Sequence, residues 1–167
     1  VVGPDDMIYF TTGSYVYRMR STWSEPQVLV NLFFQYYDCF VYYGNYCTLN
    51  IDVNNWGYLY AINRYPGAQN NSSLAIVSPD GSVLDNPLDL PCIVWDIAVD
   101  LDGMVVAACK NGLVRKIERD GSYTQMGDWA PNCGDPFAYH DPTGIAVNAQ
   151  GEILVAEAGC NAVSKVL

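Results

Sequence analysis

The sequence predicts an all-β protein built as a β-propeller, and three observations predict it. Apolar runs are only four to six residues long, are rich in Val, Ile and Tyr, and are separated by Gly and Asn. These runs recur with turn glycines Gly57, Gly103 and Gly151 spaced 46 and 48 residues apart. A period of this length with about four short strands is typical of propeller blades, whereas helical repeats need apolar residues three and four positions apart.

The clearest unit is the last one, from Asp141 to Leu167. It contains three apolar runs, at 144–147, 152–156 and 162–167, joined by turns at 148–151 and 159–161. Short runs joined by tight Gly/Asn turns predict three antiparallel strands. Such a unit buries both of its faces only when it stacks against neighbours, so its recurrence is the decisive observation.

The same order of runs and turns recurs upstream. Residues 95–116 carry an apolar run before the turn at Gly103, and residues 49–61 carry one before the turn at Gly57. Residues Asp5–Phe10 read as a turn and second strand whose first strand is missing. A later turn also repeats, at Pro79–Ser82 and Arg119–Ser122.

We therefore predict one propeller segment over residues 1–167, with four antiparallel blades of up to four strands. Three strands are expected in the first blade, four in each of the next two, and three in the last. The blades span approximately 1–31, 47–90, 91–130 and 131–167, with an aromatic connection at 32–46.

The incomplete blades at both ends are expected to leave strand edges open, at Met7–Thr12 and Ala162–Leu167. Open edges recruit further strands because their amide and carbonyl groups lack partners. We favour a fragment of a longer, six-bladed domain. The other interpretation is a piece completed by a second chain, through self-assembly.

The aromatic connection has two interpretations. Its clusters 32–37 and 40–43 contain Phe and Tyr side chains that can pack over the propeller. Clustered aromatic side chains can also form a platform for a protein or a glycan partner. We favour packing, because buried aromatic residues are the commoner case.

The charge balance excludes one class of partner. The chain has 8 basic and 18 acidic residues and a net charge of −10. Sequence-independent binding to nucleic acid needs basic groups that neutralise phosphates, so no nucleic-acid partner is expected. No apolar run reaches the roughly 20 residues of a membrane helix, so no membrane span is expected either.

Six cysteines predict three disulfides and a secreted protein. None lies in a C-x-x-C pair, which argues against a zinc ribbon. In a propeller, the connection before a first strand shares a face with the turn after a second strand. This geometry predicts the pairs Cys92–Cys109 and Cys133–Cys160, and the two cysteines of the remaining loop then pair as Cys39–Cys47. Six free thiols in a cytosolic protein are the alternative.

Two overlapping sequons add to the prediction of a secreted glycoprotein. Asn70 and Asn71 are each followed two positions later by serine. They lie in the polar insertion 65–73, where other units have a short turn. A three-residue pattern of this kind also arises by chance.

The motif of the last unit resembles the NHL repeat of β-propellers. Residues Pro142–Val166 read P-x-G-I-A-V, a turn, G-x-I-x-V-A, a second turn, and N-x-V-x-K; residues 95–117 match well and the earlier units loosely. The resemblance implies a platform that binds other macromolecules. Related propellers are lactonases or lyases, so the fold does not decide the chemistry.

Two enzyme types are implied as alternatives. The turn Gly159–Val163 is similar to one in peptidyl-hydroxyglycine amidating lyases, which carry several histidines, whereas this chain has only His140. Gluconolactonase-type propellers bind a divalent cation, and matching positions imply that Asn50 and Asp96, with Asp141, could ligate Ca²⁺. We favour the alternative that these side chains accept backbone amides at strand starts.

The sequence thus predicts an extracellular, non-catalytic module for binding or structural assembly. No G-x-S-x-G elbow and no phosphate-binding loop occurs in it, so no catalytic residue is assigned. A metal-dependent propeller hydrolase or lyase is the second hypothesis. Calcium is the cofactor that this hypothesis implies.

Overall fold

A computed structural model describes residues 1–20, 22, 25–32, 49–63, 72–90, 92–110, 112–128 and 142–166. Over these residues it contains fourteen strands and two three-residue 3-10 turns, at Pro4–Asp6 and Ala158–Cys160. The strands are β1 Met7–Thr12, β2 Tyr15–Arg20, β3 Gln27–Asn31, β4 Leu49–Val53, β5 Leu59–Asn63, β6 Ser73–Val77, β7 Val83–Asp89, β8 Val94–Val99, β9 Val105–Cys109, β10 Leu113–Ile117, β11 Tyr123–Asp128, β12 Pro142–Val147, β13 Ile153–Glu157 and β14 Ala162–Val166. The all-β prediction is confirmed.

The strands form four antiparallel sheets in chain order. Sheet 1 is β1-β2-β3, sheet 2 is β4-β5-β6-β7, sheet 3 is β8-β9-β10-β11, and sheet 4 is β12-β13-β14. The predicted distribution of three, four, four and three strands is therefore confirmed. The chain divides into two compact units, Val1–Pro91 with sheets 1 and 2, and Cys92–Leu167 with sheets 3 and 4.

The first turn of sheets 2, 3 and 4 is the same structure three times. It begins at Asn54, Asp100 and Asn148, whose side-chain Oδ1 accepts the backbone N–H groups two and four residues later at 2.9 or 3.0 Å. The residue three positions later donates its N–H back to the carbonyl of the first residue. A short side-chain acceptor at this place forms an Asx turn, which explains why Asn or Asp recurs there.

The fourth position of this turn requires a left-handed backbone. Gly57, Gly103 and Gly151 have φ values of +81°, +78° and +79°, a region that glycine adopts without steric cost. Asp6, at φ +56°, occupies the same place in sheet 1. The spacing of glycines in the sequence is therefore the spacing of one turn repeated in successive sheets.

Each unit has its own core between its two sheets. In the second unit the core contains Ala98, Val106, Ala108 and Val114 from sheet 3, and Ile145, Ile153, Val155 and Val166 from sheet 4. In the first unit it contains Tyr9, Val16 and Leu32 with Leu59, Ala61, Ala75 and Val77. Alternate residues of each strand point to one face, so a run of apolar residues at period two fills such a core.

The two sheets of the first unit approach closely near their outer strands. A Cβ atom on Gly81 would lie 2.6 Å from the backbone oxygen of Leu29, and its φ is +94°. The guanidinium of Arg18 donates to the carbonyl oxygen of Pro79 at 2.9 Å. Arg18 therefore binds the neighbouring sheet.

The first strand of sheet 1 is not wholly missing. Val2 forms a β-bridge with Ile8. The N–H of Tyr9 donates to the carbonyl of Val1 at 2.8 Å, and the Val1 amino group donates to the Tyr9 carbonyl at 2.9 Å. Two residues thus cover part of the edge that was expected to be open. Among the described strands, β14 pairs only with β13.

Candidate functional site

Asp96 joins the two sheets of the second unit. One carboxylate oxygen, Oδ1, accepts the N–H of Ile97 at 3.0 Å, and Oδ2 accepts the N–H of Ile145 in sheet 4 at 3.0 Å. Residue 144, which matches Asp96 in the repeat, is a glycine, and a Cβ there would lie 3.7 Å from Oδ2. Both carboxylate oxygens of Asp96 therefore accept hydrogen bonds from backbone amides, which is the role that the sequence analysis favoured for this residue.

The structure does not bring the three predicted calcium ligands into one described site. Asn50 lies in β4 of the first unit, Asp96 lies in β8 of the second, and Asp141 falls outside the described residues. No group of three or more His, Cys, Asp or Glu side chains within the described ranges is placed to hold a metal ion. The calcium site stays a prediction.

Asp80 and Asp120 accept hydrogen bonds within their own turns, which join β6 to β7 and β10 to β11. The Ser78 hydroxyl donates to Asp80 at 2.5 Å, and the Ser82 N–H donates to it at 2.9 Å, which together lower the pKa of Asp80 to about 2. Asp120 accepts the N–H of Ser122 at 2.9 Å, and the hydroxyl and amide of that serine lower the pKa of Asp120. These carboxylates therefore have structural partners within their own turns.

Two lysines of the second unit form ion pairs with first-turn residues. Lys116 Nζ lies 2.7 Å from Asp100 Oδ2, and this hydrogen bond raises the pKa of the lysine. Lys165 pairs with Glu152 and lowers the pKa of that carboxyl, aided by a 2.8 Å hydrogen bond from Asn148. The two lysines occupy matching positions in β10 and β14.

The disulfide Cys92–Cys109 is confirmed. Its Cα atoms are 5.8 Å apart, and it ties the segment before β8 to the end of β9. Cys160 is also disulfide-bonded. Its predicted partner Cys133 lies outside the described residues, as does the whole of the predicted Cys39–Cys47 pair.

A buried carboxylate in sheet 4 was missed by the sequence reasoning. Glu157 ends β13 with a side chain only 2% exposed. It pairs with Pro142 across the sheet, as Cys109 pairs with Val94 in sheet 3, so it matches a disulfide cysteine in the repeat. The period-two alternation of Ile153, Val155 and Glu157 was the available signal, because it places residue 157 inward.

Sheet 4 has an apolar face that no other sheet covers within the part of the chain that the structure describes. Cross-strand pairing places Ala146 beside Leu154 and Ala156 beside Val163, on the face opposite to the core. Val163 is 71% exposed. We call this set, with Gly144 and Lys165, the open face of sheet 4.

Sheet 1 also presents an apolar face away from its core. Cross-strand pairs place Ile8 beside Met19, Phe10 beside Tyr17, and Tyr17 beside Val28. The rings of Phe10 and Tyr17 are stacked with centroids 5.4 Å apart. We call these residues, with Thr12 and Tyr15, the open face of sheet 1. Tyr15 is 41% exposed and Val28 55% exposed.

The remaining predicted sites fall largely outside the described residues. The aromatic clusters lie there except for Leu32, which is buried in the core of the first unit. Asn70 and Asn71 lie there too. The sequon residue Ser72 is described, and it is buried while its carbonyl accepts the N–H of Leu90 at 2.8 Å.

Comparison with solved structures identifies proteins with the same architecture. Virginiamycin B lyase from Staphylococcus aureus matches with a TM-score of 0.68 and 13% identity, over 99% of this chain and 50% of that chain. A luciferin-regenerating enzyme matches with a TM-score of 0.66 and 12% identity, over 96% and 54%. The fold is a β-propeller. A protein of unknown function from Bacteroides caccae also matches, with a TM-score of 0.62 and 14% identity, over 98% and 54%.

These likenesses show the fold alone, because the identities are low. The chain spans about half the length of the solved structures that it matches. No family model matches the sequence. The comparison with curated proteins found no match. Among the described residues, no helix has the length and apolar character needed to cross a bilayer.

Proposed function

We propose that this chain is an extracellular, non-catalytic β-propeller module that binds a protein or glycan partner or assembles into a larger structure. The observation that carries this proposal is the exposure of apolar side chains on sheets 1 and 4 among the described residues, namely Tyr15, Val28 and Val163. Soluble monomers rarely expose contiguous apolar surface that has no binding role. Aromatic side chains such as Tyr15 and Tyr17 combine an apolar body with a polar tip, which suits protein and glycan contacts.

Three features support the extracellular part of the proposal. The disulfide Cys92–Cys109 favours an oxidising compartment. Cys160 is disulfide-bonded as well. The sequons at Asn70 and Asn71 would be glycosylated in a eukaryotic secretory pathway, and digestion with a peptide N-glycosidase would then lower the apparent mass.

The resemblance to NHL repeats supports a binding platform.

The binding role is tested with the secreted chain on a glycan microarray and in sedimentation velocity of the purified chain. We expect saturable binding to a glycan class, or self-association, that Val163→Glu or Tyr15→Glu reduces. Val83→Glu is the matched control, because Val83 is 42% exposed on β7 and belongs to neither open face. Absence of binding in both assays, or equal loss in the control, would contradict the proposal.

A propeller lyase is the second candidate. The solved structures that match include virginiamycin B lyase, one of them with quinupristin bound. The buried carboxylate of Glu157 and the single histidine, His140, are the acid–base groups to test. Incubation with quinupristin, with and without added Ca²⁺ or Mg²⁺, would be followed by liquid chromatography. Loss of the intact compound that His140→Ala abolishes would favour the enzyme over the module.

The calcium site belongs to this second candidate. Isothermal titration of the chain with CaCl₂ tests it directly, and Asp96→Asn and Asn50→Ala are the informative variants. Binding that both variants weaken would establish shared ligands. Binding that neither variant changes would remove these residues from the site.

A further inference from the structure

We propose that Asp102 is a site of spontaneous isomerisation to isoaspartate in the folded chain, and that the turns around Asp80 and Asp120 protect those two residues from the same reaction. The modification needs neither a partner nor an enzyme, so it is independent of the proposed function. The three turns lie within sheets 2 and 3, each of which has a sheet before and after it in the chain.

The reaction joins an aspartate side chain to the nitrogen of the glycine that follows it. Asp–Gly occurs three times in the sequence, at Asp80, Asp102 and Asp120. The glycine nitrogen attacks Cγ of the neutral carboxyl group, a C–N bond forms, and the carboxyl oxygen leaves as water together with the amide proton. Water then opens the five-membered imide at its main-chain carbonyl, so the chain afterwards runs through the side chain. No electrons are gained or lost, and the mass is unchanged.

The attacking nitrogen has the same placement in all three turns. The N–H groups of Gly81, Gly103 and Gly121 donate to the carbonyl three residues earlier, at 2.9, 3.0 and 3.0 Å. Their φ values are +94°, +78° and +84°. Glycine has no side chain to hinder the attack at any of them. The difference between the three sites therefore lies in their carboxyl groups.

The turns around Asp80 and Asp120 hold those carboxylates in place. Asp80 Oδ1 accepts the Ser78 hydroxyl at 2.5 Å and the Ser82 N–H at 2.9 Å, and Asp120 Oδ1 accepts the Ser122 N–H at 2.9 Å. These bonds restrain the rotation of the side chain and favour the ionised form, which does not react. They lower the pKa of Asp80 from 3.8 to about 2, so at least about tenfold less of its carboxyl group is neutral near pH 7.

The first turn of sheet 3 leaves the carboxylate of Asp102 outside its hydrogen bonds. Asp100 is the acceptor there, because its Oδ1 takes the N–H groups of Asp102 and Met104 at 3.0 and 2.9 Å. The Asp102 side chain is 83% exposed, and its Oδ2 lies 3.9 Å from Lys116 Nζ, which is beyond hydrogen-bond distance. Lys116 binds Asp100 instead, at 2.7 Å. The carboxyl group of Asp102 can therefore rotate toward the Gly103 nitrogen.

Isomerisation at Asp102 would disrupt this turn. The new linkage adds one methylene group to the main chain between Asp102 and Gly103. The hydrogen bonds from Gly103 and Met104 back to Asp100 span this point, so they cannot both keep their geometry. The turn joins β8 to β9, which supply part of the core of the second unit. The isomerised chain should therefore be less stable than the unmodified chain.

Incubation of the purified full chain at neutral and at mildly acidic pH tests the site. Electron-transfer fragmentation of its peptides distinguishes isoaspartate from aspartate, and labelling by a protein isoaspartyl methyltransferase measures the amount. We expect isoaspartate at Asp102 to exceed that at Asp80 by about tenfold or more, and also to exceed that at Asp120. It should form faster at the acidic pH, because more of the carboxyl group is then neutral. The chain unfolded in guanidinium chloride is the reference and should isomerise at similar rates at all three sites.

Two variants test the cause of the difference. Asp102→Glu keeps the charge but would have to form a six-membered imide, so it should carry no such linkage at residue 102. After incubation, urea titration should show a loss of stability in the wild type and none in this variant. Ser78→Ala removes one hydrogen bond to Asp80 and should raise isoaspartate there several-fold, without changing the amount at Asp102.

Deamidation of Asn111, which precedes Gly112 and lies outside the described residues, changes the mass of its peptide and is thereby distinguished from isomerisation. Absence of isoaspartate at Asp102 in the folded chain would overturn the proposed site. Equal or larger amounts at Asp80 or Asp120 would overturn it as well. A Ser78→Ala variant that leaves the amount at Asp80 unchanged would overturn the protective role of the turn.

Discussion

Replacement of Asp96 by alanine should destabilise the second unit. The carboxylate accepts the N–H of Ile145 from the neighbouring sheet and the N–H of Ile97 from its own strand, each at 3.0 Å. Alanine leaves both amides without this acceptor. Because Ile145 is itself a buried core residue, water has little access to its amide.

The magnitude follows from these two bonds. A hydrogen bond to a charged acceptor contributes about 1.5–3 kcal/mol, and a buried donor left without a partner costs about 1–3 kcal/mol. These terms overlap, so we expect Asp96→Ala to lower the free energy of unfolding by about 3 kcal/mol. For a chain of this size that loss corresponds to a fall in Tm of roughly 6–12 °C.

Urea titration followed by circular dichroism measures this loss. Asp96→Asn is the matched variant. The side-chain carbonyl oxygen of asparagine can still accept the Ile145 N–H, so this variant should lose about half as much free energy of unfolding. Repeating the titrations with CaCl₂ and with a chelator separates the structural role from a metal role, because an ion that binds only the folded state stabilises it by RT ln(1 + [L]/Kd). A loss under about 0.5 kcal/mol, or one that appears only with calcium, would refute the reasoning.

Three further outcomes are expected. Gly81→Ala should lower the unfolding free energy by about 2 kcal/mol or more, because residue 81 has a left-handed backbone and its new Cβ would meet a backbone oxygen of the neighbouring sheet. Gly13 is also left-handed but a Cβ there would have no atom within 4 Å, so Gly13→Ala should lower the unfolding free energy by only about 1 kcal/mol. Replacing Cys92 and Cys109 by serine should lower the free energy of unfolding by about 3 kcal/mol in chemical denaturation, as expected for a loop of 17 residues. The lowered pKa of Asp80, about 2, means that its carboxylate stabilises the fold above about pH 4 and loses this contribution as the pH falls toward 2. The pKa of Asp120 is also lowered, so its carboxylate acts in the same direction. Acid titration of Asp80→Asn should therefore show a shallower decline than the wild type, and an identical decline would contradict the assignment.

Local patterns in the sequence determined the strands and turns. The recurring Asn or Asp followed by glycine, as at Asn54 and Gly57, predicted a turn that the backbone does form, with Oδ1 accepting two amides and the glycine at positive φ. Turn chemistry is local, so four residues suffice to specify it. The number of strands per sheet followed from counting these turns. The bridge Cys92–Cys109 followed as well, because the repeat placed both cysteines beside one turn.

Tertiary contacts decided the roles of individual side chains. The sequence placed Asp96 at a strand start, but only the packing of neighbouring sheets shows that Asp96 binds the Ile145 amide and that Arg18 binds the Pro79 carbonyl. Period-two patterning tells which residues share a face and leaves open which face is covered. Val114 and Val163 have the same residue type at the same repeat position, yet one is buried and the other exposed. Burial depends on the sheet stacked above, which no local pattern encodes.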